Sequence, residues 1–233
     1  MTGSHEVRGS IPLSSTKKES RGPRGTPFFF MHAFLIILTL PILAYLIGAV
    51  PCGWILVRCI AGKDIRRIGS GNIGTTNVRR AIGTGWAVFT LICDALKGAI
   101  PTLAACFYGN GALPWLPAVT ALAAVCGHMY PVYFRFRPSG KGVATTLGSL
   151  LIVAPWACLC AVMAFLVAVR LSHRVSVGSL SGTMLLPPST WFTSHDPFLT
   201  LITLAIMVLI LFRHAENIQR LAQGREPVLG KKL

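Results

Sequence analysis

The densest polar stretch of this chain reads Lys63-Asp64-Ile65-Arg66-Arg67-Ile68-Gly69-Ser70-Gly71-Asn72-Ile73-Gly74-Thr75-Thr76-Asn77-Val78-Arg79-Arg80. Gly69, Gly71 and Gly74 fit the G-x-G-x-x-G spacing, but charged residues precede them and no βαβ unit follows, so a dinucleotide fold is not supported. The Gly-Lys-Ser/Thr ending of a P-loop is also missing. What those motifs share is physical: glycines let consecutive backbone N–H groups turn toward one anion, and short side chains add further donors. Ser70, Asn72, Thr76 and Asn77 are such donors, and Arg80 follows Asn77 by about one helical turn. The stretch reads as a phosphate cradle. An ordinary glycine-rich connector is the competing reading, and the crowding of short donors weighs against it.

A second polar stretch runs from Gly127-His128-Met129-Tyr130-Pro131 to Gly140-Lys141-Gly142-Val143-Ala144-Thr145-Thr146. Lys141 stands just ahead of an apolar run, where a helix N-terminus repels a cation. An anion between the two removes the conflict, which again points to phosphate. The alternative is a lysine snorkelling to the membrane interface. Ser176-Val177-Gly178-Ser179 opens a later apolar run, and Arg213-His214-Ala215-Glu216-Asn217-Ile218-Gln219-Arg220 follows the last one. Either could be a routine cap or a solvated face. Asp94 and Lys97, three apart and so on one helix face, interrupt an apolar run where isolated charges are costly. A structural ion pair is favoured over a role in the site.

These stretches are set among elements made for lipid. Of 233 residues 53% are hydrophobic and only 12% charged, against about 25% charged in a soluble domain. A net charge of +15, from 22 Lys and Arg against 7 Asp and Glu, suits an anionic substrate or lipid surface. The hydropathy leaves nucleic acid without support as a partner. Seven cysteines, scattered through apolar runs with no C-x-x-C spacing, read as small buried hydrophobes rather than metal ligands or disulfides.

Basic residues crowd the connections at 58–80, 135–141 and 170–174 and the C-terminal tail, whereas 108–114 and 190–197 have none. The positive-inside rule places the first set in the cytoplasm. The 28 residues between Lys141 and Arg170 would then need to return to the side they left, and Pro155 beside Trp156 is the expected turn. The result is an all-α integral membrane protein with about seven transmembrane helices and a cytoplasmic-face site. The spans fall near residues 34–57, 85–107, 113–129, 142–153, 156–170, 176–190 and 198–212, the fourth and sixth short or interrupted. Residues 1–30, rich in Ser, Gly and Arg, are expected to be a disordered basic extension. Because seven spans would leave that tail outside, a working protein of residues 31–233 that starts at Met31 is an equal reading.

Taken together and in order, Gly69 to Asn77, Gly127 to Pro131, Gly140 to Thr145, Ser176 to Ser179 and Arg213 to Asn217 closely resemble the acyl-phosphate:glycerol-3-phosphate acyltransferase family. The resemblance runs from about Leu43 to Arg225. It implies transfer of a fatty acyl chain from acyl phosphate to the 1-hydroxyl of glycerol 3-phosphate, at the cell (inner) membrane, without cofactor or metal. By position it implies a cradle of Gly69, Gly71, Asn72, Gly74, Thr76 and Asn77. Arg80, Ser179 and Asn217 are then further substrate ligands, and Ser70, His128, Lys141 and His214 the residues nearest the chemistry. One departure stands out: Phe136-Arg137-Pro138-Ser139-Gly140-Lys141-Gly142 is one residue longer than the family's usual Phe-Lys-Gly-Gly-Lys-Gly. A transporter or binding protein for phosphate or a small organic anion is the alternative. Against it, the donors gather at one face rather than at mid-membrane, and no internal repeat is visible.

Overall fold

Within lipid every backbone N–H and C=O must find an internal partner, which leaves helices as the open-ended element able to cross. The computed structural model describes residues 27–109 and 113–229, and these fold into ten α-helices with short 3-10 turns and no strand. Helix α1 (Pro27–Ala49) gives way at Val50-Pro51 to α2 (Cys52–Ala61), and α3 (Thr75–Ile82) follows the glycine-rich loop. Next come α4 (Thr84–Gly109), α5 (Leu116–Met129), α6 (Val143–Val153), α7 (Pro155–Ser172), α8 (Val175–Ser194), α9 (Pro197–Arg213) and α10 (Ala215–Ala222). Every expected span therefore has a helix. Helix α1 begins at Pro27, inside the expected extension, and residues 1–26 of that extension lie outside the described residues.

Four stretches are long and apolar enough to cross a membrane: α1 with α2, α4, α5 with the turn after it, and α7. A fifth is the α9–α10 pair, bent by 59° at His214. Helix α6, with 11 residues, reaches only about 17 Å at ~1.5 Å per residue and is the short span the sequence led us to expect. The turn at Pro155 is also present, because Ala154 leaves helical geometry (φ −147°, ψ 61°) and proline starts α7. Helix α8 differs from expectation. It runs without interruption through Pro187 and Pro188. Each proline removes one hydrogen bond, yet breaking the helix would free many more groups where no water can satisfy them.

Small residues let the helices close on one another. A Cβ added at Gly48, Gly127, Gly98 or Gly148 would stand 1.9–2.2 Å from a facing carbonyl oxygen, so α1 on α5 and α4 on α6 require glycine there. Large apolar side chains point outward instead, among them Leu38, Ile92, Ile100 and Leu201, each about half exposed or more. Inside lies a core of Val125, Met129, Ala157, Ile202, Ile206 and Ile210 joining α5, α7 and α9. Asp94 and Lys97 form a buried pair at 2.8 Å, and Lys97 also donates to the carbonyl of Val50 at 3.0 Å. The pair thus ties α4 to the break between α1 and α2, and Asp94 also lines the cavity described below.

Candidate active site

The glycine-rich loop is held by one side chain. Asn77, 1% exposed, donates from Nδ2 to the carbonyls of Ile65 (3.2 Å), Ile68 (2.8 Å) and Asn72 (2.9 Å), and its Oδ1 accepts from Ser70 N–H (3.3 Å). Asp64 caps the 3-10 turn before it and pairs with Arg66, whose guanidinium lies 4.7 Å from the Phe134 ring centroid. Asn72 Oδ1 accepts from Gly74 N–H at 2.8 Å, just ahead of α3. The N–H groups of Ser70, Gly71, Ile73 and Gly74 are therefore used inside the protein. This revises the expectation that consecutive loop N–H groups grip the anion. Gly69, Ser70, Asn72 and Gly74 of the loop line the cavity beside Thr75 and Thr76 of the first turn of α3 and the guanidinium of Arg80.

Arg80 extends along Gly69: a Cβ added there would stand 3.5 Å from Arg80 Cδ and 2.5 Å from Asn77 Oδ1. Burial, and then neighbouring Arg79, pull the Arg80 pKa down from its ordinary value. No carboxylate pairs with it among the described residues. Gly71 is the one predicted site residue that does not line the cavity. It closes the turn with φ 68°, its N–H donating to Ile68, and a Cβ would face the Arg66 carbonyl at 3.1 Å.

Opposite stands Lys141. In the longer segment ahead of it Arg135 and Phe136 are both in left-handed conformation, and Ser139 N–H returns to the Met129 carbonyl at 3.0 Å. The extra residue leaves Lys141 in the cavity wall. Arg213 Nε holds the carbonyl of Gly140 at 3.0 Å. His128 packs behind Gly140, where an added Cβ would meet its Nε2 at 2.0 Å, and its Nδ1 is 3.7 Å from Asp94 Oδ1. The ammonium of Lys141 donates to Asn217 Oδ1. Burial pulls the Lys141 pKa down to about 8.

The bend between α9 and α10 supplies the third side. His214, 2% exposed, bonds through Nδ1 to the Ile210 carbonyl at 2.9 Å. A carbonyl only accepts, so the proton sits on Nδ1 and Nε2 is the free acceptor. Burial, and then Lys141, hold the His214 pKa down at about 4, so the ring is neutral at neutral pH. Asn217 and, from α8, Ser176 and Ser179 complete the polar wall. Glu226 also stands here, a residue sequence reasoning passed over. A lone acid in a basic tail has no periodic or motif signal, and only its 7% exposure marks it.

The predicted site residues other than Gly71, together with Ser176 and Glu226, line one cavity of about 650 Å³. Its polar end carries Ser70, Asn72, Thr76, Arg80, His128, Lys141, Ser179, His214 and Asn217, with Gly69, Gly74 and Asn77 in the wall. Its other end is apolar, bounded by Leu91, Leu147, Leu150, Val162, Phe165 and Leu186 from α4, α6, α7 and α8. A family model described as glycerol-3-phosphate acyltransferase matches residues 38–224. The chain belongs to the glycerol-3-phosphate acyltransferase family. A glycerol-3-phosphate acyltransferase of Syntrophotalea carbinolica is 45% identical over 196 residues, covering 84% of this chain and 97% of the relative. One of Gluconobacter oxydans is 46% identical over 200 residues, covering 84% and 93%. Among solved structures, PlsY, an integral membrane glycerol 3-phosphate acyltransferase, is similar in its glycerol 3-phosphate form. The TM-score is 0.78 at 38% identity, over 83% of this chain and 96% of that one. Its lysophosphatidic acid form gives a TM-score of 0.75 at 36% identity, over 83% and 95%. This member of the family is accordingly a multi-pass membrane protein, and its polar cavity end coincides with the motifs that carried the resemblance.

Proposed function

We propose that this protein transfers a fatty acyl chain from acyl phosphate to the 1-hydroxyl of glycerol 3-phosphate, releasing lysophosphatidate and inorganic phosphate. The observation that carries the reading is one cavity with two characters. A cationic end holds Arg80 and Lys141, and an apolar end runs between α4, α6, α7 and α8. One substrate with an acyl chain and a phosphate would span both, and a second phosphate would share the cationic end. Charge-assisted hydrogen bonds from Arg80 and Lys141 offset the repulsion between two phosphates and bring hydroxyl and carbonyl within reach.

The hydroxyl oxygen then forms its bond to the carbonyl carbon, the bond from that carbon to the phosphate oxygen breaks, and the electron pair leaves with phosphate. No covalent acyl-enzyme is needed, because acyl phosphate already carries a good leaving group. The hydroxyl proton goes to the departing phosphate, and neutral His214 and the wall residue His128 lie nearby as polar partners. Ser70, Asn72, Thr76, Ser179 and Asn217 orient the two anions. Purified protein supplied with acyl phosphate and labelled glycerol 3-phosphate should yield lysophosphatidate, and acyl-CoA or acyl carrier protein as sole donor should not. Product formed only from a thioester donor would end this reading.

We place the site at the cytoplasmic face of the inner membrane, with seven spans, from the distribution of Lys and Arg among the connections. Single cysteines at Lys63 and His195, introduced after removal of native cysteines, should label from opposite sides of intact cells. Labelling of both from one side would discard this topology.

A further inference from the structure

Glu226 lies in the segment after α10, just beyond residue 224 where the family match ends. It is an acid only 7% exposed in a chain of net charge +15. Its two oxygens take separate donors: Oε1 accepts from Asn217 Nδ2 at 2.6 Å and Oε2 from Arg220 Nε at 2.8 Å. An amide offers one oxygen and one nitrogen. With Nδ2 committed to Glu226, Asn217 must turn Oδ1 the other way, where it accepts from Lys141 Nζ. The backbone is tied as well, since Arg174 Nε donates to the Glu226 carbonyl at 3.2 Å and Leu229 N–H to that of His173 at 2.7 Å. A solvated surface acid would have neither this burial nor this set of partners.

We propose that Glu226 is a positioning residue of the cationic pocket: it fixes the Asn217 amide so that its oxygen receives Lys141, and its negative charge balances Lys141 while Arg80 is left for the substrate. The role in catalysis rests on the reading of Lys141 as a phosphate ligand given above. Burial draws the Lys141 proton off, and Glu226 is the strongest of the groups opposing it. Arg220 and Arg213 act with burial, and Glu216 acts weakly against it. Arg80 from α3, Asp94 from α4, His128 from α5 and His214 from the bend line the same cavity. Glu226 itself is pushed up by burial, but the Ser176 hydroxyl beside it and the hydrogen bonds it accepts from Asn217 and Arg220 outweigh that and hold it below its ordinary value. It is therefore ionised at neutral pH. Removing its charge withdraws the main support of the ammonium, so Lys141 must lose its proton at lower pH.

The test is competitive acylation of the purified full-length protein by acetic anhydride, with Lys141 read against exposed Lys63 by mass spectrometry across pH. Neutral amine reacts and ammonium does not. Glu226→Gln should raise the Lys141 to Lys63 ratio at pH 7 by roughly three- to tenfold, the upper figure being a ceiling because with a pKa of about 8 close to a tenth of Lys141 is already neutral there. Glu226→Asp should stay near wild type. In parallel, the fall of kcat/KM with rising pH should begin earlier in Glu226→Gln. Glu226→Ala carries the same expectation should the glutamine variant not be recovered folded. An unchanged ratio in the variants, or a uniform rise at every pH that reports access alone, overturns the proposal. A shifted midpoint in a protein that never uses acyl phosphate would leave the positioning role standing and discard the functional reading.

Discussion

The loop of residues 63–83 binds its own polar groups, whereas the segment of residues 213–229 shares its polar groups with charges brought from elsewhere in the chain. In the first, Asn77 and Asn72 answer local N–H and C=O groups, and Arg80 has no acidic partner among the described residues. In the second, Lys141 reaches across 76 residues of sequence to Asn217, and Glu226 bridges Asn217 and Arg220. The difference separates two tasks. A self-satisfied loop keeps its shape whether or not an anion is bound, which is what a cradle needs in order to be ready. A bridged cation pair keeps its charges from repelling one another until the substrate arrives, at the cost of depending on a carboxylate.

The sharpest way to break this comparison is to remove the cations. An interface marker tolerates glutamine, because its apolar stem and polar head survive. A phosphate ligand does not: losing one partner of a charge-assisted pair costs about 2–5 kcal/mol, or roughly 30-fold to several-thousand-fold in kcat/KM. Arg80→Gln and Lys141→Gln should both fall in that range at subsaturating glycerol 3-phosphate. Arg80→Lys should be impaired too, since lysine cannot reproduce a two-point guanidinium contact. Near-native activity in properly inserted Arg80→Gln and Lys141→Gln would move the active site out of these loops.

How far this architecture could be read in the sequence depends on the range of the forces involved. The span expected at 85–107 appears as Thr84–Gly109, and the turn expected at Pro155 is there, because hydropathy and proline act locally. The motif residues likewise gather at one cavity, with Gly71 displaced to the outer side of its turn. Helix α8 defeated the local argument, because the cost of open backbone in an apolar setting outweighs two prolines. Loop N–H groups read as an anion grip turned out to be held by Asn77 and Asn72 side chains and by the carbonyls of Ile68 and Ser139, contacts that alternating glycines cannot reveal. Glu226 was illegible for a related reason: nothing in the string Arg225-Glu226-Pro227 says that a bend at His214 will carry Asn217 and Arg220 onto it.

A smaller effect on activity is expected where the loop's scaffold, rather than its charge, is removed. Asn77→Ala takes donors from three carbonyls and an acceptor from Ser70 N–H. Each buried group left unsatisfied costs about 1–3 kcal/mol, and water entering from the adjoining cavity would recover part of it. A net loss on the order of 3 kcal/mol is expected, visible as a lower Tm of the purified protein. Because Asn77 directs its side chain at the loop and leaves Arg80 and the first turn of α3 in place, kcat/KM below the melting range should drop only by about tenfold, corresponding to ~1.4 kcal/mol of lost positioning. Two measurements on the same preparation decide the matter, the thermal midpoint and the kinetics at low temperature. If Tm is unchanged while activity collapses as far as in Arg80→Gln, then Asn77 touches the substrate and the loop is not the self-satisfied scaffold described above. If Tm falls and the remaining activity keeps a near-native response to glycerol 3-phosphate, the division between a shaped cradle and a charged clamp holds at the level of single residues.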